Sequence, residues 1–171
     1  MEFKPWPKIS RIESPVTVSE KLDGTNSCVI IDELTFEVGA QSRNKLITPK
    51  DDNAGFAKWV FENQETLKED LGPGYHFGEW WGLGIQRNYG QKQKRFSLFN
   101  TRRFNGATFK TPNMDSVKVV YEGPFDTQRL DVLVSELRTQ GSFAVPGWAK
   151  PEGLVVYFQH NDMMLKVILD K

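Results

Sequence analysis

Residues 16–31 constrain the fold more than any other part of the chain. Residues 16–21 alternate apolar and polar side chains (Val16, Val18 against Thr17, Ser19, Lys21), the period of a strand with one buried face. Residues 27–31, Ser27-Cys28-Val29-Ile30-Ile31, read as a second strand. Between them stands Leu22-Asp23-Gly24-Thr25-Asn26. Asp-Gly is among the commonest turn pairs, so one reading is a surface hairpin. The other makes Lys21 a nucleophile delivered to a strand end. Gly24 then lets the backbone turn and approach a phosphate without a Cβ clash. A lysine amine attacks only when unprotonated, a state favoured by nearby cations, a metal or partial desolvation. The segment alone leaves both readings open.

The rest of the chain sets that segment in an α+β architecture. Strands are expected at 34–40, 75–81, 95–99, 117–121, 152–158 and 163–169. On a period of two, Phe77, Glu79 and Trp81 share one strand face. A helix is expected over 53–70, with Asp51, Asp52 and Asn53 as cap candidates and Gly72-Pro73-Gly74 as its stop. A second helix follows the cap Asp126-Thr127, has Leu130, Leu133, Val134 and Leu137 as its apolar positions, and ends at Gly141. Residues 3–12 carry two prolines and are expected to form an extended arm lying on the domain. No repeat or linker divides the chain, and 171 residues suit one domain over 1–171.

Composition narrows the function classes. No apolar run approaches membrane-span length, and the N-terminus lacks a signal-peptide core. With one cysteine there is no internal disulfide, and a cytoplasmic setting is expected. Cys28 is expected as a buried strand thiol. Two histidines and one cysteine make a zinc site a poor expectation. The 22 basic and 22 acidic residues cancel, which disfavours indiscriminate polyanion binding. Between Glu79 and Asp115, however, no acidic residue occurs, while Arg87, Lys92, Lys94, Arg95, Arg102, Arg103 and Lys110 alternate with aromatics. That pattern suits a phosphate backbone and exposed bases, or equally a solvated loop whose phenylalanines face the core.

Several short motifs occur in a telling order. Lys21-Leu22-Asp23-Gly24-Thr25-Asn26 is followed by Ser42-Arg43 and by Phe77-Gly78-Glu79-Trp80-Trp81-Gly82. Ser97-Leu98-Phe99-Asn100, Glu152-Gly153-Leu154-Val155-Val156 and Leu165-Lys166-Val167 complete the series. In this order the chain resembles the covalent nucleotidyltransferases, above all the small ATP-dependent RNA ligases. The arm 3–9 and the run Gly84-Ile85-Gln86-Arg87-Asn88-Tyr89-Gly90 share the resemblance.

The resemblance implies an adenylation domain of antiparallel sheets and a few helices around a central nucleotide pocket, with no OB domain. It implies ATP, with Mg2+ or Mn2+, as cofactors, and RNA ends or nicks bearing a 3′-hydroxyl and a 5′-phosphate as partners. Lys21 would carry AMP. Glu20 would recognise the adenine edge, and Asn26 would help bind the nucleotide. Asp23 and Arg43 would contact the ribose, the phosphate or the incoming strand. Glu79 would accept from the ribose 2′-hydroxyl, and Phe99 would stack on adenine. Glu152, with Asp23, would organise the metal, and Lys166 would bind the α-phosphate.

Three departures qualify it. The last motif has Lys166 flanked by Met164 and Ile168 where the family commonly has two lysines. Asn100 replaces an acidic residue. The chain ends just past the last motif, and the expectation is a bare catalytic domain that either binds its nucleic acid weakly or depends on an auxiliary protein or domain in trans. The competing readings are a DNA ligase or capping-type nucleotidyltransferase, and a non-sealing nucleotide- or RNA-binding protein.

Overall fold

A computed structural model describes residues 1–9, 11 and 13–169. The described strands form two sheets. The smaller contains β1 (Pro15–Lys21), β8 (Val119–Pro124), β9 (Gly153–Phe158) and β10 (Met163–Ile168), in the order β10-β9-β1-β8. The larger contains β2 (Thr25–Ile31), β3 (Val38–Ser42), β4 (Leu46–Ile47), β5 (Gly74–Gly82), β6 (Lys94–Leu98) and β7 (Met114–Ser116), in the order β4-β3-β2-β5-β6-β7. Neighbours pair antiparallel except β6 and β7. The helices are α1 (Phe56–Glu62), α2 (Gln64–Leu71), α3 (Thr101–Phe104) and α4 (Thr127–Gln140). This is an α+β fold.

Each sheet buries one face. Phe56, Trp59 and Val60 of α1 and Leu67 and Leu71 of α2 pack with Trp80 and Phe96 of the larger sheet. The Phe56, Trp59, Trp80 and Phe96 rings lie 5.0–5.8 Å apart in five of their pairings. Leu133 and Leu137 of α4 cover Val16, Val18, Leu154 and Val156 of the smaller sheet. A third cluster of Leu22, Trp81, Tyr89 and Val117 packs against Val145 and Trp148. Leu22 follows β1, Val117 follows β7 and Trp81 belongs to β5, so the cluster draws on both sheets.

The chain between β1 and β2 is a crossing, not a hairpin, because the two strands belong to different sheets. Gly24 makes it possible. A Cβ there would lie 2.4 Å from the Trp80 carbonyl oxygen and 2.8 Å from the Trp81 Cβ. The close approach that demands glycine is therefore to β5.

Four expectations change. The helix over 53–70 is two helices, broken at Asn63 (φ −118°, ψ 21°). Asp52 caps the first from outside, accepting from the Ala57 and Lys58 amides at 2.7 and 3.0 Å. The strand over 34–40 begins only at Val38. Asp32 Oδ1 captures the Leu34 and Thr35 amides at 2.9 and 2.7 Å, which folds the chain into a local turn. The strand over 117–121 runs instead over Val119–Pro124, displaced along the sheet. The arm does not lie on the domain over its described part: Phe3, Trp6 and Ile9 are 90%, 86% and 83% exposed. Ser10 and Ile12 of the same stretch lie outside the described residues.

Candidate active site

The two sheets face each other across a cleft of about 1220 Å³. β1 ends at its rim and places Lys21 where the chain leaves one sheet for the other. Lys21 Nζ donates to Glu152 Oε2 at 2.7 Å, with both side chains largely covered. Glu152 immediately precedes β9, whose Gly153 pairs with Lys21. Gly153 is needed because a Cβ would lie 1.9 Å from the Val167 carbonyl oxygen. β10 then runs back along β9 and sets Lys166 beside Val155.

The opposite wall is the larger sheet. Asn26 of β2 pairs in register with Glu79 of β5. The Glu79 carboxylate accepts from the Gly24 amide at 3.0 Å and from Asn26 Nδ2 at 2.9 Å. It is 6% exposed. Burial pushes its pKa from 4.5 to about 7, against the pull of the Lys21 charge and the two hydrogen bonds; Glu152 pushes the same way as burial. Phe99 follows β6, lines the cleft and is 41% exposed. An aromatic face left open inside a cleft is available for stacking. Asn100 spends its side chain on the α3 N-terminus, where Oδ1 accepts from the Arg103 amide at 3.2 Å.

Lys21, Arg43, Arg102 and Lys166 are the cations lining the cleft. Lys21 is paired with Glu152. The other three are exposed and have no carboxylate partner among the described residues. Sequence reasoning grouped Arg102 with a basic window and did not single it out. Its position on α3, a helix of four residues, left no periodic signal.

Two expected site residues carry partners of their own: Glu20 lines the cleft beside Lys21, and Asp23 is outside its lining. Glu20 neighbours Lys21 on β1, so its side chain leaves by the other face. Its carboxylate is 1% exposed, and Oε2 accepts from the Ala144 amide at 2.8 Å. Burial raises its pKa, opposed by the Ser142 hydroxyl and the Ala144 and Phe143 amides. Through Oε2 the carboxylate fixes the 142–145 loop, while Oε1 is buried with no hydrogen-bond partner among the described residues. Asp23 accepts from Arg87 Nε at 2.8 Å, and its amide donates to Tyr89 Oη at 3.1 Å. Among the described residues no three of His, Cys, Asp and Glu converge as metal ligands. An all-protein metal cage therefore does not fit. A magnesium-type ion that keeps its waters and uses one carboxylate plus phosphate oxygens does fit Glu152.

The basic window between Glu79 and Asp115 is mostly internal structure. Arg95 pairs with Asp115 and Lys110 with Glu69, each at 2.6 Å. Lys94 and Arg103 donate to the carbonyls of Ala54 and Leu71. Tyr89, Phe96 and Phe104 are buried. Cys28 is buried on β2, where burial pushes its thiol up to about 12. Among the described residues no helix is long and apolar enough to cross a membrane.

A cleft that gathers unpaired cations near one amine suits a phosphorylated ligand, and comparison with known families points the same way. The chain belongs to the RNA ligase family, whose profile matches residues 14–168. Solved structures share the fold. A Naegleria gruberi RNA ligase mutant with AMP and Mn superposes with a TM-score of 0.66 at 19% identity, covering 92% of this chain and 50% of that one. A mutant of the same ligase with ATP and Mn gives 0.65 at 19%, with 91% and 50% covered. An apo mutant gives 0.62 at 20%, again with 91% and 50% covered. The chain thus spans about half the length of the ligases it matches. Comparison with curated protein sequences gave no match.

Proposed function

We propose that this domain performs the nucleotidyl-transfer chemistry of an ATP-dependent RNA ligase, with Lys21 as the residue that carries AMP. The observation behind this is the Lys21 amine, held at the crossing between the sheets and opening onto a cleft lined by Arg43, Arg102 and Lys166. RNA as the polymer rests on family membership. ATP and a divalent metal are supported by the nucleotides and Mn found with the Naegleria ligase.

In the first step Lys21 Nζ attacks the α-phosphorus, a P–N bond forms, and the P–O bond to pyrophosphate breaks. The amine must arrive unprotonated, and the Glu152 carboxylate at 2.7 Å is the acceptor within reach. Lys166, opposite the phosphates, offsets charge on the α-phosphoryl oxygens, and Arg43 does so further along the chain of phosphates. Phe99 supplies a stacking face for the base. Glu79 and Asn26, both in the cleft lining, would read a ribose hydroxyl. A divalent ion held by Glu152, phosphate oxygens and water would supply further charge neutralisation. AMP then passes from Lys21 to an RNA 5′-phosphate, and a 3′-hydroxyl displaces AMP to close the phosphodiester.

The test is incubation with α-labelled ATP or GTP and Mg2+ or Mn2+, followed by denaturing electrophoresis. Covalent label from ATP, discharged by pyrophosphate and absent in Lys21→Ala, is the expected result. Label from GTP alone would favour a capping-type enzyme. No label in the native protein, under conditions where it is folded, would defeat the proposal. Sealing assays on RNA and all-DNA strands test the polymer, and equal rates would overturn the RNA assignment.

A further inference from the structure

Arg87 lies on the segment between β5 and β6, outside the residues that line the cleft. Its Nε donates to Asp23 Oδ2 at 2.8 Å. Its Nη1 donates to the carbonyls of Lys150 and Pro151, at 3.3 Å each. Asp23 stands two residues after Lys21, and Pro151 stands one residue before Glu152. One guanidinium thus links the two chain turns that carry the two partners of the 2.7 Å amine–carboxylate contact. Tyr89 adds to the brace: its hydroxyl accepts from the Asp23 amide, and its ring lies 5.3 Å from Trp81 and 5.6 Å from Trp148.

The segment is held in an unfavourable shape. Gln86, Asn88 and Tyr89 adopt φ of 44°, 63° and 51°, a region side-chain-bearing residues avoid. Asn88 Oδ1 is buried without a hydrogen-bond partner. A loop with no duty beyond connecting two strands has no reason to keep such a conformation.

We propose that Arg87 is a positioning residue that sets Lys21 against Glu152, and so governs the rate of attack on phosphorus without touching the nucleotide. This rests on Lys21 being the nucleophile. A lysine at position 87 would keep a charge for Asp23 but lose the planar fork that reaches the carbonyls.

The experiment measures single-turnover adenylation of Lys21, across ATP concentrations, in the full chain and in Arg87→Met, Arg87→Lys and Asp23→Asn. Displacement of reacting groups by about 1 Å is worth on the order of 100-fold in rate. Arg87→Met is expected to lose about 10- to 100-fold at saturating ATP, with half-saturation changed less than about 3-fold. Arg87→Lys should recover part of the rate. The Arg87→Met/Asp23→Asn double variant should be no slower than the slower single one, as for two halves of one contact. A native rate in Arg87→Met, a loss confined to ATP saturation, or additive losses would overturn the proposal. Hydrogen exchange on the nucleotide-free proteins gives a second readout. Arg87→Met, or Asp23→Asn if the former does not fold, should speed exchange at both 22–24 and 149–153. Unchanged exchange in either segment would overturn the proposal. If native protein takes no label, the ligase reading fails, and exchange alone decides whether Arg87 braces the two turns.

Discussion

Glu79 is a carboxylate caught between burial and charge. Its folded pKa of about 7 exceeds the ordinary 4.5, because burial outweighs the Lys21 charge and two hydrogen bonds. The folded state therefore binds more protons than the unfolded state between those values. The contribution to stability is full below about pH 4.5 and is lost as pH rises toward 7, by up to about 3 kcal/mol. Glu79→Gln carries no such titration. Urea unfolding from about pH 5 to pH 8 should show the variant gaining on the native protein, and parallel profiles would contradict this. Phe99 invites a second substitution. It is 41% exposed, so Phe99→Ala should cost less than about 1 kcal/mol of stability. The same change should weaken ATP binding by about 1–3 kcal/mol, measured by titration calorimetry, if the ring stacks on the base.

The crossing between β1 and β2 decides where the amine goes. Asp23-Gly24 suggested a hairpin locally, and sequence spacing alone did not exclude one. What excludes it is the pairing of β1 with β8 and β9, and of β2 with β3 and β5, all nonlocal. Gly24→Ala should destabilise the protein by about 2 kcal/mol or more in urea unfolding, because its Cβ would press on the β5 backbone. A loss under about 0.5 kcal/mol would show that β5 yields. Long periodic elements were legible: α4 begins after its Asp126 cap, ends at Gly141 and buries Leu133 and Leu137 as its spacing implies. Short ones were not. β4, β7 and α3 run two, three and four residues, too few to carry a period. The arm misled because prolines specify extension but not what an extended chain touches. Deleting residues 1–9 should leave the thermal midpoint within about 2 °C, since Phe3, Trp6 and Ile9 are exposed. A larger drop would mean that the arm packs on the domain in solution.

For the whole molecule, motif order was the legible part. It singled out Lys21, Arg43, Glu79, Phe99 and Lys166, which line one cleft, and Glu152, which pairs with Lys21. Side-chain direction was not legible at Glu20 and Asp23, because it depends on partners far along the chain, Ala144 and Arg87. Zero net charge concealed a cleft with Lys21, Arg43, Arg102 and Lys166 on its walls, and of the basic window only Arg102 lines it. At about 0.7 per phosphate contact, these four limit the salt dependence of single-stranded RNA binding to a log–log slope no steeper than about −3. A steeper slope would place much of the contact outside the cleft. The central claim is that one amine becomes bonded to a nucleoside monophosphate, and mass spectrometry after exposure to ATP and Mg2+ tests it most directly. The account predicts a mass gain of one adenylyl group, mapped by fragmentation to Lys21. An adduct on another lysine, or folded protein that never gains one, would contradict it.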